Sequence, residues 1–335
     1  MPQTQTRSES AFERNAYEVR IIAISGLLGQ VKSVTLAPPL LMVGMSCLDQ
    51  SWQVEAFPPS RSRTPATAFR EQGGGPAATA AVTAARLGAS ASLWSVHGDD
   101  SNGRRLCAEL EGYGVDVGCV RALPKAVTPV SAVLVAPGGE RFIFPYRDPR
   151  LAEVGGDWEL EGLDFACVLV DTRYPNLSER VLVEAARLGI PSVGDFGDAA
   201  HWHLARYAAH LIVSEECAAQ VCGDVWDPDA PELALAHLRQ LEGQTVGVTL
   251  GTRGFVYDAG DGPSWAAAMP IDAVDTTGAG DVFHGAYTYA LAQGWDAAVR
   301  AQFASAAAAL SCRGVGREAI PTLGEVVDFL VLFGA

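Results

Sequence analysis

Asp275-Thr276-Thr277-Gly278-Ala279-Gly280-Asp281 is the stretch whose reading decides this chain. Ile271 to Val274 before it forms a short extended segment. After it, Val282, Ala286, Tyr289 and Ala290 recur at helical spacing until Gly294 supplies a stop. The Gly278, Ala279 and Gly280 amides therefore lie among the unpaired N–H groups of a helix start, where the helix dipole favours anionic oxygens. Without a Cβ at Gly278 and Gly280, a phosphate approaches the main chain closely. A turn that only bends the chain needs no acid beside it. Asp281 sets a proton acceptor next to the cradle, as phosphoryl transfer to a hydroxyl requires.

Working outward, short apolar runs alternate with amphipathic helices. Leu40–Val43, Leu93–Val96, Cys167–Asp171, Ser192–Asp195, His210–Val213 and Val246–Leu250 read as strands. Ala77–Leu87, Arg104–Tyr113 and Leu177–Leu188 read as helices, stopped by Gly88, Gly114 and Gly189. This pattern predicts an α/β fold with a central, mostly parallel sheet flanked by helices. Two segments break the rhythm: Gln53–Arg70, rich in Pro, Ser and Arg, and Val127–Tyr146, which alternates around Pro137-Gly138-Gly139. They predict a small antiparallel β lid near residues 50–72 and 125–148. Residues 1–38 mix both charge signs, and Glu9, Glu13 and Glu18 do not suit the basic start of a signal peptide. They are expected to be a loose extension, with residues 39–335 forming one domain.

Apolar residues make up 49% of the 335, enough to bury a large core. A net charge of −15 and the lack of a Lys/Arg cluster argue against nucleic acid or an anionic membrane surface as a partner. No apolar run reaches membrane-spanning length. Seven scattered cysteines without a C-x-x-C pair suit free thiols in a reducing compartment, so the cytoplasm is the expected location.

Several other constellations each carry two readings. Gly73-Gly74-Gly75-Pro76 is either a plain turn or a place where a polar ligand lies against the main chain. Asp49, shortly after the first strand, is either a loop carboxylate or an acceptor for sugar hydroxyls at the carboxyl end of a sheet. Thr249-Leu250-Gly251-Thr252-Arg253-Gly254 either receives terminal phosphates of a nucleotide or simply turns a hairpin. Glu215 and Glu216 either hold Mg²⁺ through water or are the acids favoured in a first helical turn. Asp99 and Asp100 read as loop and cap residues.

From Leu40 to Pro321 these residues, in this order, resemble the ribokinase-like (PfkB) carbohydrate kinase family, with Gly73–Gly88 as early signature and Asp275–Asp281 as late one. The resemblance implies an ATP-dependent sugar kinase whose β lid often pairs two subunits, hence a homodimer. It makes Asp281 the general base and Gly278, Ala279 and Gly280 the anion hole. It gives Asp49, Gly74 and Gly75 the sugar hydroxyls. Thr249, Gly251 and Gly254 would line the ATP site, with Ser305 near the adenine. Asp275 and Thr277 match the family's monovalent-cation loop, so K⁺ is expected there. Glu215 falls in the Mg²⁺ shell, although many members have Asn-x-x-Glu where this chain reads Ser214-Glu215-Glu216-Cys217.

Within the family, Gly73–Val82, Asp281–Ala286 and Gly316–Pro321 are most similar to sulfofructose kinases, which phosphorylate the terminal hydroxyl of a 6-sulfo ketose. Arg173 matches an arginine that contacts the sulfonate there, Arg63 falls where they carry a lysine, and Pro145 departs from their asparagine. The expected reaction is transfer of the γ-phosphate of ATP to a primary hydroxyl of a ketose, an anionic one such as 6-sulfofructose included. Nucleoside kinases share the late signature, and Phe57, Phe69 and Phe142 offer the lid aromatics they use. A catalytically silent sugar sensor is the alternative outside enzymes; Asp281 counts against it, since a sensor has no use for a base.

Overall fold

Alternate residues of single strands feed two different cores, and that divides the molecule into layers. In β1 (Pro39–Val43), Leu40 and Met42 join one buried cluster while Leu41 and Val43 join the other. β9 (Cys167–Asp171) behaves likewise, with Cys167 and Leu169 on one face and Val168 and Val170 on the opposite one. Such strands are covered on both sides, so they read as unbroken apolar runs. Each fully buried aliphatic side chain contributes about 1.5–3 kcal/mol. The structure, a computed structural model, describes residues 29–30, 37–57, 63–136, 141–155 and 158–334. The tip Pro137-Gly138-Gly139 and nearly all of the expected N-terminal extension lie outside the described residues.

The main sheet has eight strands. β4 (Ser90–Trp94), β1, β9, β10 (Ser192–Phe196), β11 (His210–Ser214) and β12 (Thr245–Thr249) run parallel in that spatial order. β13 (Phe255–Asp258) and β14 (Pro263–Ala266) close one edge antiparallel. On one face lie α1 (Pro76–Arg86) and three helices that follow the sheet, α7 (Ala279–Ala292), α8 (Ala297–Ser311) and α9 (Leu323–Gly334). On the other lie α4 (Pro175–Leu188), α5 (Glu215–Cys222) and α6 (Leu233–Leu238). α2 (Ser101–Gly112) starts at Asp100, whose side chain accepts from the Gly103 amide at 2.9 Å, as its cap reading requires. It follows the short strand β5 (Val96–Gly98), which pairs with β6 (Arg121–Leu123); α3 (Pro149–Ala152) is a single turn.

The lid is a separate four-stranded sheet in the order β3 (Ala68–Gly74), β2 (Cys47–Gln53), β7 (Val130–Val135), β8 (Arg141–Tyr146). β2–β3 and β7–β8 are antiparallel pairs, and the two pairs join through a parallel β2–β7 contact. One detail differs from the sequence reading. No strand immediately precedes the late signature: β14 ends at Ala266, and the approach is a loop held by the Val274 amide donating to Cys312 O at 2.7 Å.

Candidate active site

Five adjacent parallel strands end along one edge of the sheet, where ligands of open α/β sheets bind. β1 leads through Gly44 to Asp49 on β2. β9 ends at Asp171 with Arg173 just beyond, β10 carries Asp195, and β11 and β12 end at Ser214 and Thr249. Asp171 organises this edge. Its buried carboxylate accepts from the amides of Met45 (2.8 Å), Ala77 (3.2 Å) and Arg173 (2.8 Å). One side chain thus ties β9 to the β1–β2 connection and to the start of α1. Burial raises its pKa, against the pull of the Met45 and Arg173 amides.

α1 and α7 pack together, and both begin at one open cleft. Asp49, Gly74, Gly75, Thr277, Gly278 and Asp281 all line it. Asp49 and Asp281, 232 positions apart in sequence, therefore meet at one cleft. Gly278 caps α7 in the left-handed region (φ 76°), which only glycine adopts freely, and Ala279, Gly280 and Asp281 form the first turn. Gly74 carries no side chain because a Cβ there would stand 2.1 Å from Asp49 Oδ2. Burial raises the Asp49 pKa, while the Ser131 hydroxyl, the Cys47 thiol and the Arg317 charge oppose it. Asp281 is pushed well above the usual carboxylate range, by desolvation first and then by the Asp195 and Asp171 charges; Arg173 and Arg317 pull the other way. That is the direction in which a catalytic base working near neutral pH is tuned.

The remaining expected residues lie elsewhere. Arg63 is exposed, in the segment leading to β3, and is not among the cleft-lining residues. Arg173 donates to Asp198 Oδ2 at 2.8 Å. Thr249, at the end of β12, leads into a turn closed by the Leu250 amide donating to Gly254 O at 2.8 Å, with Gly251 and Gly254 at positive φ. Ser305 is buried within α8. Glu215 accepts from Arg253 Nη2 at 2.5 Å. Among the described residues no three His, Cys, Asp or Glu side chains converge as a metal cage. Asp275 Oδ1 accepts from the Thr277 amide (2.9 Å), the Thr277 hydroxyl (2.7 Å) and Arg141 Nη2 (2.6 Å).

A family model described as pfkB family carbohydrate kinase matches residues 40–323. The chain belongs to this family. It is 26% identical over 300 residues to a ribokinase of Bacillus subtilis, covering 87% of this chain and 99% of that one. It superposes on a putative ribokinase from Agrobacterium tumefaciens with a TM-score of 0.83 at 31% identity, covering 89% and 99%. Arabidopsis thaliana ribokinase, solved with ribose and ATP, gives a TM-score of 0.79 at 25% identity, covering 88% and 99%. The protein is an ATP-dependent carbohydrate kinase with a ribokinase-like fold.

Several groups in this kinase escape sequence reasoning because they act through distant contacts. Arg317 is buried in the cleft wall, where Nη2 donates to Gly74 O (2.8 Å) and Nη1 to Glu109 (3.1 Å). Its place in Gly316–Pro321 was a signal without a role attached. The His284 ring faces Gly280 O (2.7 Å) on one side and Ile212 O (3.3 Å) and Asp195 (3.6 Å) on the other, which pins the first turn of α7 to the sheet. Arg147, an exposed residue just past β8, has its pKa lowered by partial desolvation and then by the Arg173 charge, so two guanidinium groups share one neighbourhood.

Proposed function

We propose that this kinase transfers the γ-phosphoryl group of ATP to a primary hydroxyl of a ketose. The observation that carries the reading is the convergence of Asp49, Gly74 and Asp281 on one cleft beside the start of α7. Asp49 accepts from sugar hydroxyls and holds the acceptor against the Gly74–Gly75 main chain. Asp281 takes the proton of the attacking hydroxyl as its oxygen bonds to the γ-phosphorus and the bond to the β–γ bridging oxygen breaks. The Gly278, Ala279 and Gly280 amides receive the charge that develops on the transferring group. The nucleotide lies along the ends of β11 and β12, toward Thr249, Gly251, Gly254 and Ser305. Mg²⁺, with Glu215 nearby, neutralises phosphate charge when bound, and K⁺ at Asp275 and Thr277 belongs to the same reading.

An anionic substituent on the ketose is favoured by Arg173 and Arg147 together, since a guanidinium pair suits sulfonate, phosphate or carboxylate. Arg173 must exchange Asp198 for the substrate. The relatives include fructokinases and a nucleoside kinase as well as ribokinases. A coupled ADP-release screen over fructose, fructose 6-phosphate, 6-sulfofructose, ribose and nucleosides tests both levels. Ketoses should give the highest kcat/KM, with anionic ketoses ahead. A wide margin for neutral fructose removes the anion reading, and a margin for nucleosides or ribose removes the ketose reading.

A further inference from the structure

The first residue of lid strand β8 reaches the turn that precedes the anion hole. Arg141 Nη2 donates to Asp275 Oδ1 at 2.6 Å, and Arg141 Nη1 donates to the Thr277 hydroxyl. The pair spans 134 residues and is mostly sheltered, with side chains 25% and 16% exposed. Asp275 Oδ1 in turn holds the Thr277 amide and hydroxyl, and Thr277 directly precedes the left-handed Gly278 cap. The other side of the turn is anchored to the end of α8, because the Val274 and Asp275 amides both donate to Cys312 O (2.7 and 3.2 Å). One anchor thus belongs to the packed body and the other to the lid sheet. That same sheet carries Asp49 on β2, joined to β8 through β7.

We propose that Arg141 is a positioning residue which, from the lid, holds the Asp275–Thr277 turn and so sets the Gly278–Gly280 amides for the phosphoryl group. A sheet that touches the acceptor through Asp49 and the anion hole through Arg141 makes the order of the transfer site depend on the lid's position. Preorganised donors are effective only while their geometry is held. The inference rests on the kinase reading above and adds a residue to it.

A double-mutant cycle with Arg141→Gln and Asp275→Asn is the test, run with the best acceptor of the screen. Arg141→Gln should lower kcat about tenfold, the scale of one sheltered charge-assisted contact, with the KM for ATP little changed. The double variant should lose less than the product of the two single losses, because both substitutions break the Arg141–Asp275 ion pair. Arg141→Lys should recover only part of the loss, since an ammonium lacks the fork that meets both partners. Independently of any substrate, hydrogen exchange at the Thr277–Asp281 amides should quicken in Arg141→Gln while the melting temperature stays put. Unchanged exchange, multiplying kcat losses, or an effect confined to acceptor KM each overturns the proposal. If the wild type phosphorylates nothing in the screen, the exchange experiment still decides the role of Arg141, so the two failures remain distinct.

Discussion

Asp281, the proposed base, combines two properties that usually conflict, a negative charge that the proposed chemistry requires and surroundings that resist it. Desolvation and the neighbouring Asp195 and Asp171 charges raise its pKa in the folded protein. Between the ordinary carboxylate value and the raised one, the folded state keeps a proton that the unfolded chain has lost. Stability must therefore fall as pH rises through that window. Asp281→Asn, which cannot ionise, should gain stability over the wild type, with a gap that widens in urea unfolding as pH rises from the ordinary carboxylate range through the raised value. The same variant should lose roughly 10²–10⁴ in kcat while still binding ATP, by the usual worth of a positioned base. In the wild type, the acid limb of kcat/KM should lie above the normal carboxylate range. Near-wild-type turnover in the asparagine variant would remove Asp281 from the mechanism.

At the scale of elements, the cleft is held open by contacts between strand ends and helix starts. Asp171 serves three amides from the β1–β2 connection, α1 and the chain after β9. Asp171→Ala leaves those donors without a partner and should cost about 3–5 kcal/mol in chemical denaturation, one to three for each unmet group less what entering water repays. A loss under about 1 kcal/mol by the same yardstick would mean that the edge is organised by something else. The α1 and α7 starts were legible in sequence, because Pro76 after glycines and the helical spacing after Gly280 are local signals. The Asp171 and His284 anchors were not. Their partners lie on other elements, and nothing in the order of residues near them records that contact.

At the scale of the whole molecule, the lid leaves its edge strand uncovered. Phe142, Phe144 and Tyr146 on β8 are at least half exposed, as is Phe69 on β3. Apolar edges of that kind call for a partner, and a homodimer through the lid, which we propose, would supply one. Phe144→Glu should shift sedimentation toward monomer without lowering the melting temperature of the main sheet; an unchanged assembly, or a wild type that is already monomeric, counts against that interface. The sequence by itself determined the parallel α/β sheet, the lid segments, and the glycine turns with Asp281, since strand runs, helix periods and turn residues act within a few positions of themselves. It also determined membership in the kinase family, through motifs of the same local kind. Only the tertiary structure decided that Asp49 and Gly74 face Asp281 across one cleft, that Arg317 rather than Arg63 lines it, and that Arg141 grips the signature turn from the lid. Those outcomes depend on which strand ends become neighbours, and packing of the whole chain sets that order.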